Sequence, residues 1–491
     1  MNPRESLTDA PITTFVIFIL VTAAIPFALY VLFTVWAESI ERQIIGAIAV
    51  LVLVVFGTVR KKYETLLLAL MLFSQFSVSL HSFNLVQPTK IQIFFSDIII
   101  FLTIIVALER RQKLHIDTIG WLFLLLIGWY GVTTCFSSHF HQSLVFLLTQ
   151  MKYFLVYTLA VNTSLSEQFT RRTIYVGVCV ILMQGIIATA QLMHGGWLGI
   201  GILGEPSVLT PNVIVGDVTL RVAGTISGAN GFAGYISLLL VFIFPFILNR
   251  RNMFLDLGFT IGIVSIVMAL SRAGWLSFVI GTICVIYMIL RARLVKFLRV
   301  MIFCLVGFFI IVVGLSLYSN KIISRFTEPQ AISAVTDRIN QYSQSLEIIK
   351  RYKITGIGPG VTEFYGAWND NIKYVQKALP DIYMWNQVHN GYLQICIESG
   401  IPGLIIFLVI AGVIFGALFT TKIDGSEPKL VSLLRVGGLC SAITVLVHIS
   451  FGPEINNQHI LLLFWLLLGL SRSFIHYNQQ GRIISIEKHR G

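Results

Sequence analysis

Runs of roughly 18 to 25 apolar residues recur along nearly the whole chain, each long enough to cross a hydrocarbon layer about 30 Å thick as a helix. About fourteen are counted on this length criterion. They lie near residues 12–36, 43–59, 65–82, 91–108, 118–135, 142–162, 173–193, 222–248, 253–270, 274–290, 298–317, 391–420, 430–450 and 457–475. Hydrophobic residues make up 56% of the 491 positions and charged residues 12%, more apolar surface than a soluble domain of this length hides. The expected fold class is an all-α polytopic integral membrane protein of about 12 to 14 transmembrane helices. The first run has no small-residue cleavage pattern after it and is long for a signal peptide, so it is read as retained.

The net charge of +12 could point to nucleic acid, but the placement of the positives argues otherwise. Arg60 to Lys62, Arg110 to Lys113, Arg171 and Arg172, Arg250 and Arg251, the stretch Arg291 to Arg299 and the tail Arg482 to Arg490 fall in alternate loops. That is the positive-inside pattern, and it puts both termini in the cytoplasm with membrane lipid as the partner of most of these charges. The loops near 38–42, 81–90, 136–141, 194–221, 271–273, 318–390 and 451–457 then share the opposite, periplasmic face. The chain divides into a transmembrane bundle over 1–317, a large periplasmic loop domain over 318–390, C-terminal transmembrane helices over 391–475 and a cytoplasmic basic tail over 476–491.

The six cysteines sit in or beside apolar runs without CxxC or metal-ligand spacing and read as small packed hydrophobes. There is no GxxxxGK[ST] and no GxGxxG behind a strand, so no nucleotide site is indicated. Energy for a reaction must come from the substrate or from a gradient.

Chemistry is expected in the one long polar loop. Within it Val335, Ile339, Tyr342, Leu346 and Ile349 recur at helical spacing and predict an amphipathic helix whose apolar stripe meets the membrane surface or other helices. Arg338 stands in its first turn. The cluster Gly356, Gly358, Pro359, Gly360 either cradles an anion on exposed amides or stops the helix. Aromatic residues from Phe364 to Trp385 anchor the interface or stack on sugars. His389, before Asn390 and Gly391, lies where the chain re-enters helix and has an ordinary pKa near neutrality, as a proton acceptor requires. Glu398, Gly400, Pro402 and Gly403 break the next helix near its start.

Outside the loop, Arg272 interrupts an apolar stretch at Ser271, where a charge near hydrocarbon marks a functional candidate. Arg221 opens a small-residue-rich helix through Gly224, Gly228, Asn230 and Gly234 and is a further cation. Lys152, in the middle of a run, is either paired with a buried carboxylate or lines a polar path.

These pieces resemble the O-antigen ligase and Wzy-type polymerase family of bacterial envelope glycosyltransferases. The carriers are Arg221 to Gly224 with Asn230, Ser271-Arg272, Asp337-Arg338 followed by Gly356 to Gly360, and His389 to Tyr392 followed by Glu398 to Leu404. The resemblance implies a GT-C-like membrane enzyme of the bacterial inner membrane that works on the periplasmic face without metal or other cofactor. Its donor is a glycan on undecaprenyl pyrophosphate; its acceptor is lipid A core for a ligase, or a lipid-linked glycan for a polymerase. Arg272 and Arg338 are carried over as the pyrophosphate clamp and His389 as the group that serves the acceptor hydroxyl. Arg221, Gly358, Gly360 and Tyr392 are secondary substrate-binding candidates. Ligase is preferred, with polymerase the alternative; a lipid-linked glycan flippase or secondary transporter is the reading from another class, expected to carry its charges at midplane.

Overall fold

The computed structural model describes residues 63–77, 79–86, 89–109, 114–137, 139–206, 211–214, 217–249, 252–301, 305, 329–362, 388–421, 423 and 427–488. The runs at 12–36 and 43–59, most of 298–317 and the aromatic stretch Phe364 to Trp385 lie outside the described residues.

Helix α1 (Tyr63–Phe73) leads into an antiparallel hairpin of β1 (Ser79–Val86) and β2 (Thr89–Phe94). Helices α2 (Phe95–Glu109), α3 (Thr118–Cys135), α4 (Phe140–Val161) and α5 (Glu167–His194) follow, then a second hairpin of β3 (Pro211–Ile214) and β4 (Asp217–Leu220). Next come α6 (Ala229–Asn249), α7 (Met253–Met268), α8 (Arg272–Arg291), the loop helix α9 (Pro329–Arg351), α10 (Gly391–Thr420), α11 (Lys429–His448) and α12 (Gln458–Lys488). The protein is an all-α polytopic membrane protein carrying these two short hairpins. Among the described residues seven helices, α3, α4, α5, α6, α8, α10 and α11, are long and apolar enough to span a membrane; α1, α2, α7 and the first part of α12 are shorter apolar helices.

The runs at 65–82 and 91–108 are therefore not helical throughout: the first leaves helix after Phe73 and the second enters it at Phe95, with the β1–β2 ladder between them. Pairing Ser79 with Phe94 and Val86 with Thr89 lets the backbone satisfy itself outside the helices.

Helices α6 and α11 form the centre, 94% and 89% buried along their spanning windows against 33% for α8. Their contact is close because Gly437 of α11 lies against the Phe242 carbonyl of α6, where no side chain would fit. The outer helices turn apolar side chains outward, such as Ile283 of α8 and Ile405 of α10, as lipid-facing positions require.

The run at 222–248 becomes helix only at Ala229, so Arg221 precedes an irregular segment rather than opening a helix. That segment is buried and its polar groups need partners. Gln191 of α5 accepts the amides of Ala223 and Gly224 through Oε1 and donates to the Gly224 carbonyl at 2.9 Å. Gln184, two turns earlier on the same helical face, accepts the Thr225 amide and donates to Thr225 Oγ1 at 2.6 Å. Gly224, at φ +57, has no room for a Cβ beside Gln184 and Phe232.

Helix α10 breaks at Gly400 (φ 71, ψ −178), where the breaker cluster was expected to act. The backbone groups freed by the break are taken up by the loop domain. Ile357 and Gly358 donate their amides to the carbonyls of Ile397 and Glu398 at 2.9 and 3.0 Å, and Ile401 donates to the Lys353 carbonyl at 2.9 Å. Trp129 Nε1 of α3 caps the Ser399 carbonyl at 2.7 Å. The loop domain is thus bonded to the α10 kink, with a small apolar core of Ile348, Ile357, Val361, Val388 and Ile397 behind it.

That core meets the expected stripe on α9. Tyr342 and Ile349 pack against it, but Ile339 and Leu346 are exposed, and the fully buried positions are Ser345 and Ile348. Part of the stripe, Tyr342 and Ile349, thus meets other elements, and Ile339 and Leu346 are left free for a membrane surface. The described cysteines, Cys135, Cys179, Cys284, Cys396 and Cys440, are free thiols.

Candidate functional site

Helix α9 carries Arg338, Gln341 and Tyr342 at i, i+3 and i+4, one face of the helix. From that face Gln341 Oε1 accepts the His389 amide at 3.3 Å and Tyr342 donates its hydroxyl to the His389 carbonyl at 3.2 Å. Arg338, on the same face, acts on His389 through its charge. His389 lies just before α10, whose N-cap Asn390 accepts the amides of Tyr392 and Leu393. Burial, and after it the Arg338 charge, lower the His389 pKa from its ordinary 6.5. Its imidazole is accordingly neutral near pH 7. Nδ1 is buried and takes no hydrogen bond from the described residues.

Arg338 also acts electrostatically on Arg272, so the three expected catalytic residues share one neighbourhood. Arg272 is the first residue of α8, directly after N-cap Ser271, which accepts the Gly274 amide at 3.3 Å. A cation there adds to the positive end of the helix dipole instead of offsetting it, an arrangement that an anionic ligand stabilises. Before it, Leu270 adopts φ 50, which costs a leucine roughly 1–2 kcal/mol and turns the chain sharply into α8.

Arg221 joins this corner. Its Nε donates to the Ala269 carbonyl at 3.0 Å, at the end of α7, and its Nη2 donates to Asn230 Oδ1 at 2.7 Å. The same Asn230 oxygen accepts the Ser271 hydroxyl at 3.0 Å. One amide thus ties together Arg221, the start of α6 and the turn before Arg272.

Arg221 and His389 line a cleft of about 590 Å3, within the roughly 300–1,000 Å3 of small-molecule sites. Lys152 lines it too, and both readings of this lysine hold: Nζ is 3.1 Å from Asp97 Oδ1 and lies over the rings of Phe94 and Tyr153. The remaining wall comes from Ser77, the 227–231 segment and residues 453–459, so loops expected to share one face meet around one cavity.

Of the other candidates, Gly358, Gly360 and Tyr392 do not line this cleft, nor do Arg272 and Arg338. The amides at Gly358 and Gly360 turn toward α10, to the Glu398 carbonyl and to Glu398 Oε2 at 3.0 Å respectively. Thr362 donates its hydroxyl to Glu398 Oε1, and Gln394 adds a further bond at 3.2 Å. The amides of the glycine turn are thus taken up by the chain's own buried Glu398. Gly358 (φ +117) and Gly360 (φ +72) need their conformations, and side chains there would overlap Ser137 and Phe146. Tyr392 donates its hydroxyl to the Leu446 carbonyl at 2.9 Å and packs edge-on to Phe407, which ties α10 to α11.

Sequence reasoning gave no role to Asn230, quoted only as part of a motif, nor to the Glu454 and His448 pair beside the cleft, 3.8 Å apart. Glu454 follows Gly452 and Pro453 in a short loop; its only signal was a lone carboxylate in an apolar neighbourhood.

Residues 257–408 match the family described as O-antigen ligase, a segment that contains Arg272, Arg338, the glycine turn and His389. No curated protein matches the chain. The match covers residues 257–408 of 491, and over that segment the chain is similar to the O-antigen ligase family.

Proposed function

We propose that the protein is an inverting membrane glycosyltransferase that moves a glycan from undecaprenyl pyrophosphate to a sugar hydroxyl, with lipid A core as the acceptor. The observation that carries this reading is the position of His389, neutral and on the wall of a cleft shared with Arg221, under the charge of Arg338. The acceptor oxygen attacks C1 of the donor sugar as its proton passes to the His389 imidazole. The C1–O bond to phosphate breaks, and its electron pair leaves with the pyrophosphate. Arg272 and Arg338, with Arg221 beside them, stabilise that growing charge by hydrogen bonds as well as by Coulomb attraction. Guanidinium groups can supply the stabilisation that a divalent metal gives in other transferases. Attack from the face opposite the leaving group inverts C1.

The reaction faces the periplasm in this proposal, because the basic residues gather at the other ends of the helices. Arg291 of α8 bonds the Leu418 carbonyl near the far end of α10, and Arg299 bonds the Leu248 carbonyl near the end of α6. The positive-inside rule assigns that end to the cytoplasm.

The test is transfer by the purified chain in detergent, given undecaprenyl-pyrophosphate-linked glycan and rough lipopolysaccharide. A glycosidic product on lipid A core is expected, lost in Arg338→Ala and His389→Ala. A product that grows only on a second lipid-linked glycan would make the enzyme a polymerase. Absence of any product with both acceptors would leave a transport role.

A further inference from the structure

One part of the cleft wall has a different chemistry from its cations Lys152 and Arg221. Residues Glu454 to Asn456 form a single 3-10 turn between α11 and α12. Glu454 is 6% exposed and lines the cleft, yet its Oε2 takes no hydrogen bond from the described residues. Asn456, two positions on, also lines the cleft and leaves Nδ2 buried without a partner. A buried acceptor and a buried donor each cost about 1–3 kcal/mol when unmet, so such pairs persist where something satisfies them.

The turn is built to hold these groups. Gly452 lies flush against the Glu454 carboxylate, where any side chain would displace it. His448 Nε2, also without a hydrogen bond among the described residues, stands 3.8 Å from this same Oε2, and its Nδ1 is 3.4 Å from Ser277 Oγ. Next in sequence, Asn457 is fully engaged: it donates to Ser227 at 2.9 Å and caps α12 by accepting the amides of His459 and Ile460. The turn is thereby pinned on both sides.

We infer that the Glu454–Asn456 turn is a sugar-hydroxyl subsite, in which Glu454 accepts from one hydroxyl of a bound glycan and Asn456 donates to a neighbouring one. The inference rests on the glycosyl-transfer reading of the cleft. A carboxylate repels phosphate and accepts strongly from hydroxyls, so this turn suits the sugar, while Arg221 on the same cleft suits the pyrophosphate. The turn lies beyond residues 257–408, so sugar choice is written in a part of the chain outside the family match.

The test uses the full chain in detergent, with Glu454→Gln and Asn456→Ala. In transfer assays each variant is expected to raise KM for one glycan roughly tenfold, the factor that about 1.4 kcal/mol of lost hydrogen bonding gives. The titrated substrate whose KM moves, rough lipopolysaccharide or lipid-linked donor, identifies which glycan occupies the turn. A second readout needs no turnover: a panel of methyl hexosides should raise the melting temperature of the wild type but not of Glu454→Gln or Asn456→Ala. Loss of transfer in the wild type with hexoside stabilisation intact would overturn the catalytic reading and keep this one. Unchanged KM values, or equal stabilisation of wild type and both variants, would overturn the subsite. If Glu454→Gln does not fold, as judged by gel filtration, Asn456→Ala carries the decision.

Discussion

Arg221 and Asn230 are joined by a 2.7 Å hydrogen bond from guanidinium to amide oxygen, across the irregular segment that leads into α6. Ser271, the cap of the helix that begins with Arg272, donates to the same oxygen. One acceptor therefore sets the placement of two cations. Asn230→Leu is expected to lower transfer by roughly tenfold to a hundredfold, since misplacing a reacting group by about 1 Å costs that order. Asn230→Asp keeps an acceptor oxygen and should retain more activity. Initial rates at saturating donor check the ranking, and equal losses in both variants would free Arg221 and Arg272 from this anchor.

Arg338 and His389 are linked through charge and through α9. The Arg338 charge disfavours the imidazolium, so its removal in Arg338→Gln should raise the His389 pKa toward 6.5, with burial still holding it below that value. NMR titration of labelled histidine measures the midpoint; an unchanged value would separate the two residues. In the wild type the base stays neutral below pH 6.5, and transfer should fall only as acid reaches the lower folded-state value. The sign for stability follows. The unfolded chain binds this proton first, so the group's contribution is present above about pH 6.5 and lost as pH falls through the folded value.

The apolar runs made the bundle legible, and the helices at 118–135 and 391–420 start and stop where the hydropathy does. Arg272, Arg338 and His389 were legible as polar exceptions in such a chain, and Arg338 does act on the other two. What escaped was backbone that leaves helix inside an apolar run. Residues 222–228 are as apolar as a helix, and only the pairing with Gln184 and Gln191, some 40 and 30 residues earlier, makes an irregular path possible. The use of the glycine turn was hidden for a similar reason. Whether amides at Gly358 and Gly360 meet a ligand or Glu398 depends on a contact between segments about 40 residues apart.

Glu398 is the group on which the loop domain closes. Glu398→Ala would orphan the Gly360 amide and the Thr362 hydroxyl at about 1–3 kcal/mol each and loosen α9 from the kink. The expected outcome is a lower melting temperature together with loss of transfer, because Arg338 rides on the same domain. Glu398→Gln keeps one acceptor oxygen and should lose less of both. A stable, active Glu398→Ala would detach the loop's order from this carboxylate.

Lys152 and Asp97 separate stability from function. The pair is partly buried, with side chains 18% and 25% exposed, so removing either partner alone leaves an uncompensated charge beside the cleft. Asp97→Asn is expected to destabilise the chain, and Lys152→Met to do so by a similar amount, while the double variant recovers most of the loss because no charge is left stranded. Transfer should behave differently. If Lys152 serves the cleft that it lines with Arg221 and His389, donor KM should rise in Lys152→Met and stay raised in the double variant, although the fold is restored. A double-mutant cycle on melting temperature and on donor KM reads both quantities. Recovery of both together would confine Lys152 to holding Asp97, and α4 to α2, with no part in the donor site.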